Sequence, residues 1–224
     1  MKNIFLAFFI SCSGFYSYAQ KQFAEGEITY KMSMSGGESS DQMTKSMIEN
    51  AKMVQYIKGD KCRVNTDMGM MNTGVIVYGD GKRGNLLMDM MGQKYNVTMT
   101  EKDLNDKKSK VPKYTITQTN ETKQICGYNC KKAIVKMENG ETCNIFYTKD
   151  LKFKYKGFDH SEYEQIDGFP LEYEQSQNNA KYKYTITKIE EKTVNDDVFV
   201  VPADYKPMNM ADFNKMMGGM GAGF

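Results

Sequence analysis

The sequence has a single histidine, His160, and it stands in "FDHSEYE" with no recognisable nucleophile motif around it. Catalysis by a histidine base is therefore poorly supported, and His160 reads as an exposed loop residue, while carboxylate pairs that meet only in space stay open. The neighbouring acids Asp196 and Asp197 lie in "VNDDVF", which reads as a turn before a strand. The glycines of "GDGKRG" lack the spacing of a phosphate-binding loop and suggest a hairpin instead. Charge of one sign is also missing: 30 Lys and Arg balance 28 Asp and Glu, spread along the chain. No basic cluster alternates with aromatics, which argues against a nucleic-acid surface. No segment approaches the roughly 20 apolar residues that a membrane-spanning helix needs.

What the chain does have begins at its start. "MKNIFLAFFISCSGFYSYAQ" places Lys2 ahead of an apolar run from Ile4 to Ile10, followed by small and polar residues. That order is the order of a secretory signal, and residues 1–19 are expected to be removed by a cut before Gln20. The weaker alternative is a lipoprotein signal in which Cys12 is acylated. The expected location is periplasmic or extracellular. One domain over 20–207 follows, with "EKDLNDKKSKVPK" at about 101–113 as a solvated linker inside it, and the glycine- and methionine-rich residues 208–224 read as a flexible tail.

Past the signal remain Cys62, Cys126, Cys130 and Cys143. In an oxidising compartment four cysteines suggest two disulfides with three connectivities open, one of them a local bridge across the "GYN" turn. "CGYNC" has the wrong spacing for a redox CxxC pair, and the set lacks the close pairs of a zinc finger. No metal and no cofactor is expected from these residues.

The dominant period is two. "EITYKMSM" puts Ile28, Tyr30, Met32 and Met34 on one face, and "CRVNTDMGM" does the same with Cys62, Val64, Thr66, Met68 and Met70. Further alternating runs follow, separated by "GDG", "MMG", "MENG" and "QNN", so the fold class is mainly β, built as an antiparallel meander. One stretch departs from this: "SSDQMTKSMIENAKM" carries Met43, Met47 and Ile48 at helical spacing and predicts an amphipathic helix covering a sheet face. The pentapeptide KYTIT occurs at 113–117 and 183–187, which suggests two strands with the same face requirement.

Methionine is the informative residue. Of 19, twelve lie between Met32 and Met99 and five beyond Lys206, with Met137 alone in between. A general need for core filler would spread them evenly, so something local is served. Three readings stay open at this stage. The strand faces are plain core; or Met32, Met34, Met68, Met70, Met88 and Met90 line a pocket for loosely shaped apolar ligands, which flexible polarizable thioethers suit. The third reading is Cu(I) or Ag(I) held by Met68, Met70 and Met71, because thioethers favour soft metals.

The second half reads "NETKQICGYNCKKAIVKMENGETCNIFYTKDL", then "QIDGFPLEYEQS", then "VFVVPADYKPM". This order resembles a family of exported proteins common in Bacteroidetes-type genomes and related in fold to the lipoprotein carriers. The matching positions are Glu121, Thr122, Lys123, Gly127, Tyr128, Cys130, Lys131 and Lys132, then Gly168, Pro170 and Leu171, then Phe199, Pro202, Ala203 and Tyr205. The resemblance implies a strongly curved antiparallel sheet, an unclosed half-barrel with covering helices whose cavity holds acyl chains or other apolar ligands. It implies no reaction. The expected protein is a non-catalytic envelope protein binding an apolar or lipid-like ligand, with contact to a membrane surface or another envelope protein. The alternatives are a methionine-rich Cu(I)/Ag(I)-binding protein and a structural protein whose cavity is filled by its own helix.

Overall fold

The structure is a computed structural model and describes residues 21–36, 42–79, 81–109, 113–153, 166–177 and 180–219. The signal segment with Cys12, and His160, lie outside these residues.

The first half is a meander: β1 (Lys21–Phe23) and β2 (Glu25–Gly36), then helix α1 (Gln42–Asn50), then β3 (Lys52–Lys58), β4 (Lys61–Asp67), β5 (Met71–Val77), β6 (Gly84–Met90) and β7 (Gln93–Met99). Helix α2 (Glu101–Ser109) leads to the second half: β8 (Tyr114–Ile125), β9 (Tyr128–Met137), β10 (Thr142–Thr148), β11 (Leu151–Phe153), β12 (Phe169–Gln177) and β13 (Ala180–Glu191). A short 3-10 turn at Asp196–Phe199, strand β14 (Lys206–Asn209) and helix α3 (Met210–Gly219) follow.

Twelve of these strands form one sheet in the order β14-β7-β6-β5-β4-β3-β2-β13-β12-β10-β9-β8, while β1 pairs with β11 in parallel as a small second sheet. The order shows why the large sheet must roll. Strands β7 and β8, joined by residues 100–113, lie ten pairings apart, which in a flat sheet is about 48 Å at ~4.8 Å per step. The connecting segment, with nine residues wound into α2, reaches at most ~35 Å. The sheet therefore curves, and because β14 and β8 remain edges it is an open curved sheet and not a closed barrel.

Alternation sends one side of every strand inward. Cross-strand register builds continuous rows on that inner face: Ile145, Tyr173, Tyr184 and Met32 are successive partners, and so are Ile186, Tyr30, Met53 and Thr66. Tyr173 and Tyr184 stack at 4.9 Å between ring centroids. The main core gathers β2, β3 and β4 with the whole second half. A separate, smaller cluster lies at the far end of the first half, where Met88 and Val97 pack under Phe213 and Met217 of α3.

The outer face of the first half is crossed by residues 194–205. Lys58 Nζ donates to the Val194 carbonyl at 3.0 Å, Arg63 Nη1 to the Val198 carbonyl at 2.7 Å, and Lys94 Nζ pairs with Asp204 at 2.7 Å. The strap is thus tied to β3, β4 and β7 in turn. Gly74 makes this possible on β5: a Cβ there would meet Asn65 Oδ1 at 3.1 Å and the Arg63 guanidinium at 3.5 Å. The aromatic positions Phe199 and Tyr205 belong to this strap, and each carries a lysine over its ring, Lys61 and Lys94 respectively.

Three expectations are corrected here. Residues 101–109 are helix, because Thr100 and Asp103 cap one another: the Thr100 amide donates to Asp103 at 2.8 Å and the Asp103 amide to the Thr100 hydroxyl at 3.3 Å. The segment from 208 is likewise ordered through Gly219, as a strand and then a helix. No disulfide joins Cys62, Cys126, Cys130 and Cys143, against the two expected. Register gives the reason. The hairpin turns at Cys126–Gly127 with φ of 49° and 81°, and Cys130 sits opposite Lys123. Cys126 is thus about 10 Å along the strand from Cys130, beyond the ~7 Å a bridge spans. Cys143 faces Val135 on β9, and Cys62 accepts a hydrogen bond from Gln55 Nε2 at 3.2 Å on β3.

Candidate functional site

The six methionines singled out as ligand-facing do share the inner side of the sheet for the most part, but they divide by environment. Met32, Met34 and Met88 are 6%, 7% and 1% exposed and belong to packed interior. Met68 is half-buried against the main core, and Met90 is half-buried beside the cluster under α3. Met70 is 62% exposed and projects from the β4–β5 turn. The soft-metal trio Met68, Met70 and Met71 is accordingly split between core, solvent and a half-buried strand position.

Register joins the remaining members into a surface. Across the first half Met71 faces Met90, Thr73 faces Met88 and Val75 faces Leu86; the next strand adds Val97 opposite Leu86 and Tyr95 opposite Met88. These residues stand side by side on the inner face, half-buried except for Met88 and Val97. Helix α3 lies over one end of the patch through Phe213, 3% exposed, and Met217, 5% exposed. At the opposite end, an open groove of about 380 Å³ runs between α1 and the β4–β5 turn, with Met47, Asn50, Asp67 and Met68 in its walls. A groove of that volume is at the small end of ligand sites.

Sequence reasoning missed the half of this site that α3 contributes. Met210, Phe213 and Met217 recur at helical spacing, a signal that was present but outweighed by the glycines around it. It also missed the buried polar chain on the inner face: Tyr30 OH donates to Gln55 Oε1 at 2.6 Å, and Gln55, 1% exposed, donates on to Cys62.

Three carboxylates, Glu172, Asp196 and Asp204, are held in ion pairs away from this patch. Glu172, buried on β12, accepts from Lys123 Nζ at 2.8 Å and from the Thr185 hydroxyl at 3.1 Å, with Lys183 at 3.3 Å. Burial pushes its carboxyl up, but the Lys123 hydrogen bond and the charges of Lys183 and Lys123 together bring it below the usual range. Asp196 is held down by hydrogen bonds from Lys58 and Lys61, and Asp204 by Lys94.

Fold and surface together define a class: an open, curved antiparallel sheet with an apolar inner face partly covered by short helices. Residues 88–211, more than half of the chain, match the family described as N-glycanase peptide, N-terminal domain, and the chain belongs to that family. Two structures of PNGF-II share the fold, both at a TM-score of 0.52, with 16% and 19% sequence identity. Each alignment covers 87% of this chain but 33% of PNGF-II, so the chain spans about a third of the length of that protein. An uncharacterized conserved protein from Thermus thermophilus aligns over 84% of this chain and 91% of its own, at 7% identity and a TM-score of 0.49. No curated protein matches the chain. The all-β architecture that the carrier resemblance implied is present; the family shown is the N-glycanase one.

Proposed function

We propose that the chain is an exported, non-catalytic binding module whose methionine-rich inner face takes an apolar or lipid-like ligand. The observation that carries this is the half-buried patch of Met71, Val75, Leu86 and Met90, set apart from the main core and walled by methionine. Unbranched thioethers repack around ligands of varied shape at little cost, which a core chosen for rigidity would not require. Its family name ties the domain to the N-terminus of an N-glycanase; in that setting the module would hold or position material for chemistry performed by other parts of such a protein.

The test is a paired substitution read by two measurements. Met90→Lys places a charge on the half-buried patch and should weaken binding of a fluorescent fatty-acid probe about tenfold or more while leaving the thermal melt nearly unchanged, since its ammonium can reach solvent. Met32→Lys places the same charge where the side chain is 6% exposed, and should cost several kcal/mol of stability, about 2–5 by analogy with disrupted core methionines. Equal loss of stability in both variants, with no separate binding defect, would reduce the patch to ordinary core.

A further inference from the structure

We infer that α3 is the resident occupant of the apolar site, a helix that covers the ligand surface of β6, β7 and β14 and leaves it when a long acyl chain binds. The inference rests on the functional reading above and specifies where on the inner face the ligand lies.

Four observations carry it. The surface under α3 is a cluster of its own, Met88 and Val97 with Leu86, Met90 and Met208 around them, not continuous with the main core. What α3 presents to that surface is Phe213, Met216 and Met217, unbranched or flat apolar groups in a line, while its charged residues Asp212 and Lys215 pair with one another at 3.9 Å on the exposed side. The polar contacts that fix its start also close locally: the Asp212 amide donates to Asn209 Oδ1 at 2.8 Å and Asn209 Nδ2 to Asp212 Oδ2 at 2.7 Å. Finally, α3 follows directly on β14, which runs parallel to β7, so the chain lays the helix on the edge of the sheet that β6, β7 and β14 build.

The physical chemistry favours exchange. A ten-residue helix ending in Gly218 and Gly219 has little stability by itself, so its place depends on the burial of Phe213 and Met217. An acyl chain offers the same surface the same apolar contact without ordering a helix. Methionine on both sides of the contact lets the surface refit to a thinner occupant. A closed helix lowers the apparent affinity of the site by the fraction of time the site is open.

The full-length double variant Phe213→Ser/Met217→Ser removes the apolar hold of α3 and leaves the sheet untouched. With a dansyl-labelled undecanoic acid as probe, this variant should bind at least about tenfold more tightly than wild type, and adding Met90→Lys should remove the gain. Binding by wild type that is unchanged or weakened in the double variant would overturn the role of α3 and leave the binding function standing. Failure of both proteins to bind would remove the function with it. Should the double variant not fold, wild type labelled with methyl-13C methionine gives the answer: on probe addition the Met216 and Met217 methyls should shift to solvent-exposed positions while Met32 and Met34 stay fixed. Bound probe with unshifted Met216 and Met217 would overturn the inference.

Discussion

At the scale of single residues, Glu172 shows how the second half settles a charge inside a sheet. Its carboxylate is 9% exposed and is bound by two lysines that are themselves 42% exposed, so the negative charge is buried and the positive charges remain wet. Because the folded carboxyl titrates below its unfolded value, the stability it contributes is fully present above the ordinary carboxylate range. It is lost as pH falls through the lowered folded value. Glu172→Gln should therefore flatten the acid limb of the stability profile and cost about 1–3 kcal/mol at neutral pH. Urea unfolding at neutral pH and at about pH 3 measures this; parallel profiles for the two proteins would contradict it. Residue identity alone did not announce this site. Glu172 sits in "FPLEYEQ" like any outward strand residue, and only the pairing of β12 with β13, together with the reach of Lys123 from β8, makes it a buried acceptor.

At the scale of elements, the strands were legible because they are written locally. Alternation in "EITYKMSM" and turn residues between runs specify β2 to β7 as a meander, and the helix at 42–50 follows from methionine and isoleucine at helical spacing. The elements that escaped are those decided by a cap or by distant packing. Thr100 and Asp103 form a reciprocal cap in a segment whose charge density suggested a linker, and α3 forms despite its glycines because Phe213 and Met217 find Met88 and Val97 far back in the chain. Long-range pairings were equally hidden: β13 lies against β2 and β14 runs parallel to β7, and neither is specified by a local turn. The cap of α3 gives a prediction at this scale. Asn209→Ala removes the acceptor for the Asp212 amide and should cost about 1 kcal/mol of local helix stability. Hydrogen exchange should quicken in residues 210–219 and remain unchanged in β9 and β10; unaltered exchange in α3 would show that packing alone sets its start.

At the scale of the whole molecule, one sheet serves two purposes. Its second half and strands β2 to β4 enclose the main core, while β5 to β7 extend the same curve into a methionine-lined patch closed at one end by α3. Methionine is uneven across this division: Met137 alone sits in the strands of the second half, Met32 and Met53 belong to the main core, and Met71, Met88 and Met90 stand on the patch. Composition pointed to that asymmetry, but it could not say which methionines are interior and which are half-buried, because that depends on how far the sheet rolls and where α3 comes to rest. The central claim is that this surface holds an apolar ligand, and native mass spectrometry of the protein recovered from its own compartment tests it most directly. The expected spectrum shows the chain with a noncovalent adduct of the mass of one acyl lipid, an adduct greatly diminished in Met90→Lys. A spectrum of bare chain alone, from protein that also fails to take up added fatty acid, would contradict the account.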